Sequence, residues 1–277
     1  MKSPVSWVGG KSHVASRIVA MMPPHDHYIE VFGGGLSVFF RKPRSKLETV
    51  NDKNKDLMSF WLVCRDHAEE LVAKLDSTPY SRALFDEWKT KPLPDDPIER
   101  AAWWFFLQCS RFSANYHGGW SYLKVRSTCN VPPAARFRRL TTRIFAVRDR
   151  FADVQIECAD FREMCERYSG CSENLMYFDP PYFGTEYYYR EKFTEQDHRD
   201  LAELIAGSRA KIILTYYAHP LLDKLYPDLH RREIRTAKHG AKSLANQRKP
   251  QGCEIVLTNY EIEPDLLGII NAKTMDR

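Results

Sequence analysis

YIEVFGGGLSVFF, residues 28–40, runs an apolar strand-forming segment into three consecutive glycines and then resumes as the opening of a helix. Glycines at such a junction let the backbone come close to a ligand at the carboxyl edge of a sheet. The next apolar run, LETVND (47–52), ends on Asp52, twenty residues past Phe32, where a carboxylate can accept hydrogen bonds from both hydroxyls of a ribose. Alone, Asp52 would read as an ordinary strand-end acid; behind a glycine turn it reads as half of a site for an adenosine-containing cofactor. Residues 33–38, Gly-Gly-Gly-Leu-Ser-Val, lack the third glycine with which the GxGxxG pattern holds a pyrophosphate at a helix N-terminus. S-adenosylmethionine, which has a ribose and no phosphate, therefore fits better than NAD. A second glycine pair in SWVGGKSH (6–13) precedes Lys11, whose ammonium suits a carboxylate such as that of methionine, although Gly-Gly-Lys also occurs in plain loops.

Outward from this point, strands are expected at 154–161, 174–179 and 211–217, and near 230–236 and 253–260. Helices are expected at 10–22, stopped by Pro23-Pro24, and over TEQDHRDLAELIAGS (194–208), with Thr194 as N-cap and Asp197 close to a capping box. Strands alternating with helices predict an α/β fold with a mostly parallel, doubly wound sheet. Residues 56–150 break the alternation. Two helices are expected there, over 56–75 and 135–151, the second with an apolar stripe of Phe137, Leu140, Ile144, Val147 and Phe151. Between them, 115–133 reads as a hairpin or long loop and KTKPLPDDP (89–97) as a connector. The division predicted is a catalytic domain of 1–55 and 151–277 carrying an inserted, mainly helical domain of 56–150.

The protein has 41 Lys and Arg against 36 Asp and Glu, a small excess that is unevenly spread. Residues 111–150 hold nine basic residues and one acid, Asp149, leaving 32 basic and 35 acidic residues elsewhere. RTAKHGAKSLANQRK (235–249) adds five cations without an acid. Two cationic segments on a slightly acidic body suit a surface that neutralises phosphates, though solvated helix faces would give the same pattern. The longest strongly apolar stretch, AAWWFFLQC (101–109), is about half of a membrane span. With no signal-peptide core at the start, the expectation is a soluble cytoplasmic protein without membrane contact. Seven cysteines and no CxxC pair suggest thiols that are for the most part buried, with neither a disulfide framework nor a metal site.

NLMYFDPPYFGTEYYY (174–189) carries the chemistry. Asp179 and the Pro180 carbonyl can together accept both hydrogens of one exocyclic amine, and proline geometry stiffens the turn that aims them. Tyr182 offers a flat face for a base, worth about 1–3 kcal/mol of stacking. Adenine N6 is a poor nucleophile because its lone pair spreads into the ring. Two acceptors that hold its hydrogens out of plane, and balance the charge developing as a methyl group arrives, favour the transition state. Holding nitrogen about 3–3.5 Å from a sulfonium methyl could supply roughly 7–11 kcal/mol by orientation. A duplex hides that nitrogen, so the base must be flipped out. Phe183 and Tyr187 to Tyr189 would either line the pocket or serve as packing.

These residues resemble the Dam-like, D12-class adenine-N6 DNA methyltransferases of bacteria and phages, in the α arrangement that sets the glycine loop first, a recognition insertion next and the catalytic tetrapeptide after it. The resemblance rests on WVGGK (7–11), EVFGGG (30–35), ND (51–52), DF (160–161), DPPY (179–182), Phe193 with Asp197-His198, ILTYY (213–217) and LTNY (257–260) in that order. It implies a Rossmann-like sheet of seven strands, the last antiparallel, with a target-recognition insertion. It further implies a cofactor site for S-adenosylmethionine made by Trp7, Lys11, Glu30, Phe32, Gly33, Gly34, Gly35, Asp52, Asp160, Phe161 and Asp179, and a catalytic set of Asp179, Pro180, Pro181 and Tyr182. RFSANYHGGW (111–120) stands where the GATC-methylating members carry an Asn-Gly type turn, and Val31 replaces the commoner proline. The implied partner is double-stranded DNA, met by a protein monomeric in solution, with pairing on DNA left open. Arg111, Lys124, Arg126, Arg136, Arg138, Arg139, Lys242 and Arg248 are the predicted DNA contacts, with some arginines of 136–150 turned to water or to an internal acid. The competing readings are an RNA or guanine-N2 methyltransferase, a non-catalytic DNA-binding relative and an NAD-dependent enzyme.

Overall fold

The expected strands become β1 (His27–Glu30), β2 (Leu47–Asn51), β3 (Val154–Glu157), β4 (Asn174–Phe178), β5 (Lys211–Tyr217), β6 (His230–Ala237) and β7 (Gln251–Thr258). They form one sheet in the order β3-β2-β1-β4-β5-β7-β6. β7 runs antiparallel to both its neighbours, β5 and β6, and every other pairing is parallel. These relations come from a computed structural model that describes residues 1–112, 116–124, 131–184, 193–237 and 251–262. Strand order reverses beside β1, so the loops leaving β1 and β4 part there and open a crevice at the carboxyl edge.

Side-chain alternation along the strands divides the core in two. Tyr28, Val50, Leu175, Tyr177 and Ile213 face one side, while Ile29, Val31, Met176, Phe178, Ile212 and Leu214 face the other. The second side is covered by α8 (Phe161–Tyr168), α9 (Glu195–Ala206) and α10 (Pro220–Leu225). The first is covered by α1 (Ala15–Val19) and by the helices between β2 and β3, which are α2 (Lys55–Asp66), α3 (Ala68–Asp76), α4 (Arg82–Trp88), α5 (Pro97–Ser110), α6 (Pro133–Thr141) and α7 (Ile144–Phe151). Phe60, Trp61, Phe105 and Phe151 from this helical block join Tyr28 and Val50 in one continuous apolar cluster. A buried charge cluster adds to the tie: Arg150 of α7 donates to both carboxylate oxygens of Glu48 on β2, and Lys42 pairs with the same acid. Buried charges survive folding only when paired in this way.

Four expected helices differ. The one at 10–22 shortens to α1, whose N-cap Val14 makes no side-chain cap bond. The one expected after the glycines is absent: residues 36–41 form successive turns that start from Leu36 at φ 53°. There the Phe39 amide donates to the buried Glu30 carboxyl at 2.9 Å, a bond that takes it out of any helical ladder. The 56–75 segment divides at His67, which leaves helical geometry at φ −134° and ψ 41° and serves as C-cap of α2 and N-cap of α3. Likewise 135–151 separates at 142–143 into α6 and α7. The capping box of α9 is as expected, with Thr194 and Asp197 bonded reciprocally.

Candidate active site

The carboxyl ends of β1 to β4 meet over a cavity of about 570 Å3, within the size range of small-molecule sites. All eleven residues expected to hold a cofactor line it, and so does Pro181. Asn51 fixes the rim: its amide donates to the carbonyls of Val31 (2.8 Å) and Ala159 (3.1 Å), and its oxygen accepts the Ala159 amide (2.8 Å). One side chain thus ties together the loops after β1, β2 and β3. Asp52 beside it accepts the Gly34 amide at 2.8 Å and the Asn54 amide at 2.9 Å. The glycines answer to the protein as well as to the cavity. A Cβ on Gly33 would sit 2.8 Å from the Asn51 carbonyl oxygen; Gly34 has φ 47°, and a Cβ there would lie 2.6 Å from the Trp7 ring. Phe32, Phe161 and Phe193 form a triangle with each pair of ring centroids 5.7 Å apart. Asp160 caps α8 and binds Lys53 (2.9 Å) and Arg162 (3.1 Å). Partial burial opposes its ionisation, but these donors outweigh that and hold the carboxyl below its ordinary value. Burial pushes Glu30 up to about 8, against the pull of hydrogen bonds from Tyr28 and the Phe39 amide.

At the end of β4, Asp179 Oδ1 receives three donors: Lys11 Nζ at 2.8 Å, the Tyr182 hydroxyl at 2.9 Å and the Thr215 hydroxyl at 2.9 Å. The Lys11 ammonium also donates to the Gly9 carbonyl at 2.7 Å and lies 4.7 Å from the Tyr182 ring centroid. Desolvation works against its charge, yet Asp179 and Glu254 overcome it and raise the pKa. The carboxylate that pairs with Lys11 in the structure is one of the chain's own, as an ammonium only 3% exposed needs a fixed counter-charge. Tyr182 is a correction to the sequence reading. Its ring is 5% exposed and packs edge-on against Tyr217 at 4.6 Å, so its face is covered where an open stacking surface was expected. Its hydroxyl also lies 3.0 Å from Glu254 Oε2. Phe183 stacks between His198 (3.8 Å) and His219 (4.6 Å). Tyr187 to Tyr189 lie outside the described residues.

The family model for D12 class N6 adenine-specific DNA methyltransferase matches residues 7–239 of this chain, from Trp7 through the DPPY corner to the end of β6. The chain belongs to that class. The Type II methyltransferase M1.LlaDCHI of Lactococcus lactis subsp. cremoris is 25% identical over 92% of this chain and 94% of its own length. The DNA adenine methylase of Escherichia coli K12 is 23% identical over 73% of this chain and 75% of its own length. The DNA N-6-adenine-methyltransferase of Escherichia phage P1 is 24% identical over 82% of this chain and 31% of its own length. Membership of the D12 class makes this chain an adenine-specific DNA methyltransferase whose substrate is DNA, on a seven-stranded sheet with β7 antiparallel. No helix among the described residues is long and apolar enough to cross a membrane, and no group of three or more potential metal ligands occurs among them.

For a D12-class protein the basic residues have unequal surroundings. Arg138, Arg139 and Lys124 are exposed. Arg111 is half-buried, lines the cavity and lies 4.7 Å from the Tyr116 ring centroid. Arg136 donates to the Cys109 carbonyl at 2.9 Å and so braces α6 against α5. Arg148 and Arg150 turn to acids, as expected for part of this segment. Arg126, Lys242 and Arg248 lie outside the described residues. Phe112 (67% exposed), Tyr116 and Tyr122 stand among these cations. Sequence reasoning missed Glu254, Thr215 and the α5 residues Trp104 and Gln108, which line the far wall of the cavity. The available signal was a charged residue between apolar neighbours in CEIVLTNY (253–260).

Proposed function

We propose that the chain transfers a methyl group from S-adenosylmethionine to N6 of an adenine flipped out of duplex DNA. The observation that carries this reading is the continuity of one cavity from Asp52, Asp160 and the Phe32–Phe161–Phe193 triangle to Asp179. The residues fit that cofactor: Asp52 is a carboxylate at the end of β2 for ribose hydroxyls, the phenylalanines supply an apolar seat for a purine, and Trp7 and the glycine turn border the passage to Asp179. When bound, the cofactor supplies an electrophilic methyl group. With Oδ1 anchored by Lys11 and Thr215, Asp179 keeps Oδ2 to accept one amine hydrogen, and the Pro180 carbonyl accepts the other. The pair holds the nitrogen lone pair toward the cavity and balances the positive charge that develops on the base. Pro181 shapes the turn. Tyr217, exposed beside the packed Tyr182 ring, gives the base its platform.

In this reading residues 1–55 and 151–277 form the catalytic part and 56–150 the target-recognition part. Exposed Arg138, Arg139 and Lys124, half-buried Arg111, and Arg126, Lys242 and Arg248 contact phosphates or base edges. The test is incubation with labelled S-adenosylmethionine and plasmid DNA, tRNA or protein as acceptor, for the wild type and Asp179→Ala. DNA alone should be labelled, and the variant should lose transfer while binding DNA with nearly unchanged affinity. Substantial transfer by Asp179→Ala contradicts the assigned role.

A further inference from the structure

Tyr182 Oη lies within hydrogen-bond distance of two carboxylate oxygens, 2.9 Å from Asp179 Oδ1 and 3.0 Å from Glu254 Oε2. A phenol has one hydrogen, so at any moment it serves one of the two acids. Glu254 is 2% exposed and sits on β7 opposite Tyr217 of β5 and Ile234 of β6. We propose that Glu254 is a positioning residue for methyl transfer: by drawing the Tyr182 hydrogen to itself it leaves the Asp179 carboxylate a stronger acceptor for the amine of the target base. This rests on the reading of Asp179 as the amine acceptor.

The groups facing Glu254 are Lys11 and Arg17 from the N-terminal segment, Asp179 and Tyr177 from β4 and its end, Tyr182, and Tyr217 from β5. Lys11 is the buried cation between the two acids, and Arg17 is spent in part on the Arg235 carbonyl at 3.0 Å. Burial raises the Glu254 carboxyl above its ordinary value, and the charge of Asp179 adds to that while Lys11 tempers it. Once protonated, Glu254 donates to Tyr182 Oη, the Tyr182 hydrogen turns to Asp179, and the acceptor at the amine weakens. Loss of the ionised form therefore slows transfer on the acid side. Gln at 254 imitates the protonated form at every pH.

The experiment is the single-turnover rate of methyl transfer to duplex DNA as a function of pH for the wild type, Glu254→Gln, Tyr182→Phe and the double variant. Glu254→Gln should be roughly 10–100-fold slower at the wild-type plateau, the size of one lost hydrogen bond to a charged group. Donor and DNA affinities should be kept, and the acid limb of the profile should disappear. Tyr182→Phe, which keeps Glu254 but removes the shared hydroxyl, should lose the same limb, and the double variant should be no slower than the slower single one. A Glu254→Gln profile of wild-type shape, or additive losses in the double variant, overturns the proposal. If Glu254→Gln fails to fold, an acid limb retained in Tyr182→Phe does so alone. Wild type that yields no 6-methyladenine defeats the function reading instead, whereas active wild type with an unaltered Glu254→Gln profile defeats only this inference.

Discussion

Glu30→Gln gives the cavity wall a measurable thermodynamic signature. The Glu30 side chain is 2% exposed, and its Oε2 accepts the Tyr28 hydroxyl at 2.7 Å and the Phe39 amide at 2.9 Å. Burial lifts the carboxyl from 4.5 to about 8. Between those values the folded protein holds a proton that the unfolded chain has lost. The contribution of Glu30 is therefore complete below 4.5 and is lost as pH rises through about 8. The slope is about 1.4 kcal/mol per pH unit, and roughly 5 kcal/mol over the whole interval is a ceiling. Glutamine has the same shape, and its amide oxygen can accept both bonds without carrying a titrating proton. Urea unfolding of the two proteins from about pH 5 to about pH 8 should show their stabilities diverging upward, with Gln gaining on Glu and m unchanged. Parallel stability curves would refute the account of Glu30 as a buried neutral acid.

Asp52→Asn should weaken binding of S-adenosylmethionine roughly 10–100-fold, the loss of charged acceptors for ribose hydroxyls; calorimetric titration measures it, and unchanged affinity removes Asp52 from the cofactor site. Arg138→Ala should lower the slope of log affinity for DNA against log salt by about 1, as expected for one phosphate contact, and an unchanged slope excludes that contact. Arg136→Ala should instead lower the melting temperature, because its guanidinium holds the Cys109 carbonyl; a stable variant with a flattened salt slope would reverse that assignment.

β1, β2 and β4 were legible because each is an apolar run stopped by glycine or an acid, and Asp52 and Asp179 after two of them come with Asp160, just past β3, to one cavity. Helix ends were less so. The break at His67 lies inside an unbroken apolar periodicity, and the turns at 36–41 arise because the buried Glu30 carboxyl, distant from them in the pattern, captures the Phe39 amide. The partner of Lys11 could not be read from its neighbours, since Asp179 stands far along the chain and arrives through parallel pairing of β1 with β4. Glu254 was hidden for a related reason. A lone acid in a strand ordinarily faces solvent, and here the register that sets Glu254 opposite Tyr217 turns it toward Lys11 and Tyr182. The glycine turn was read for closeness to a ligand, whereas two of its glycines are already demanded by Asn51 and Trp7.

The most direct test is nucleoside analysis of duplex DNA after incubation with the purified protein and S-adenosylmethionine. The account predicts 6-methyladenine, formed by the wild type and absent with Asp179→Ala. Methyl groups found on guanine or cytosine, or in RNA alone, would contradict it.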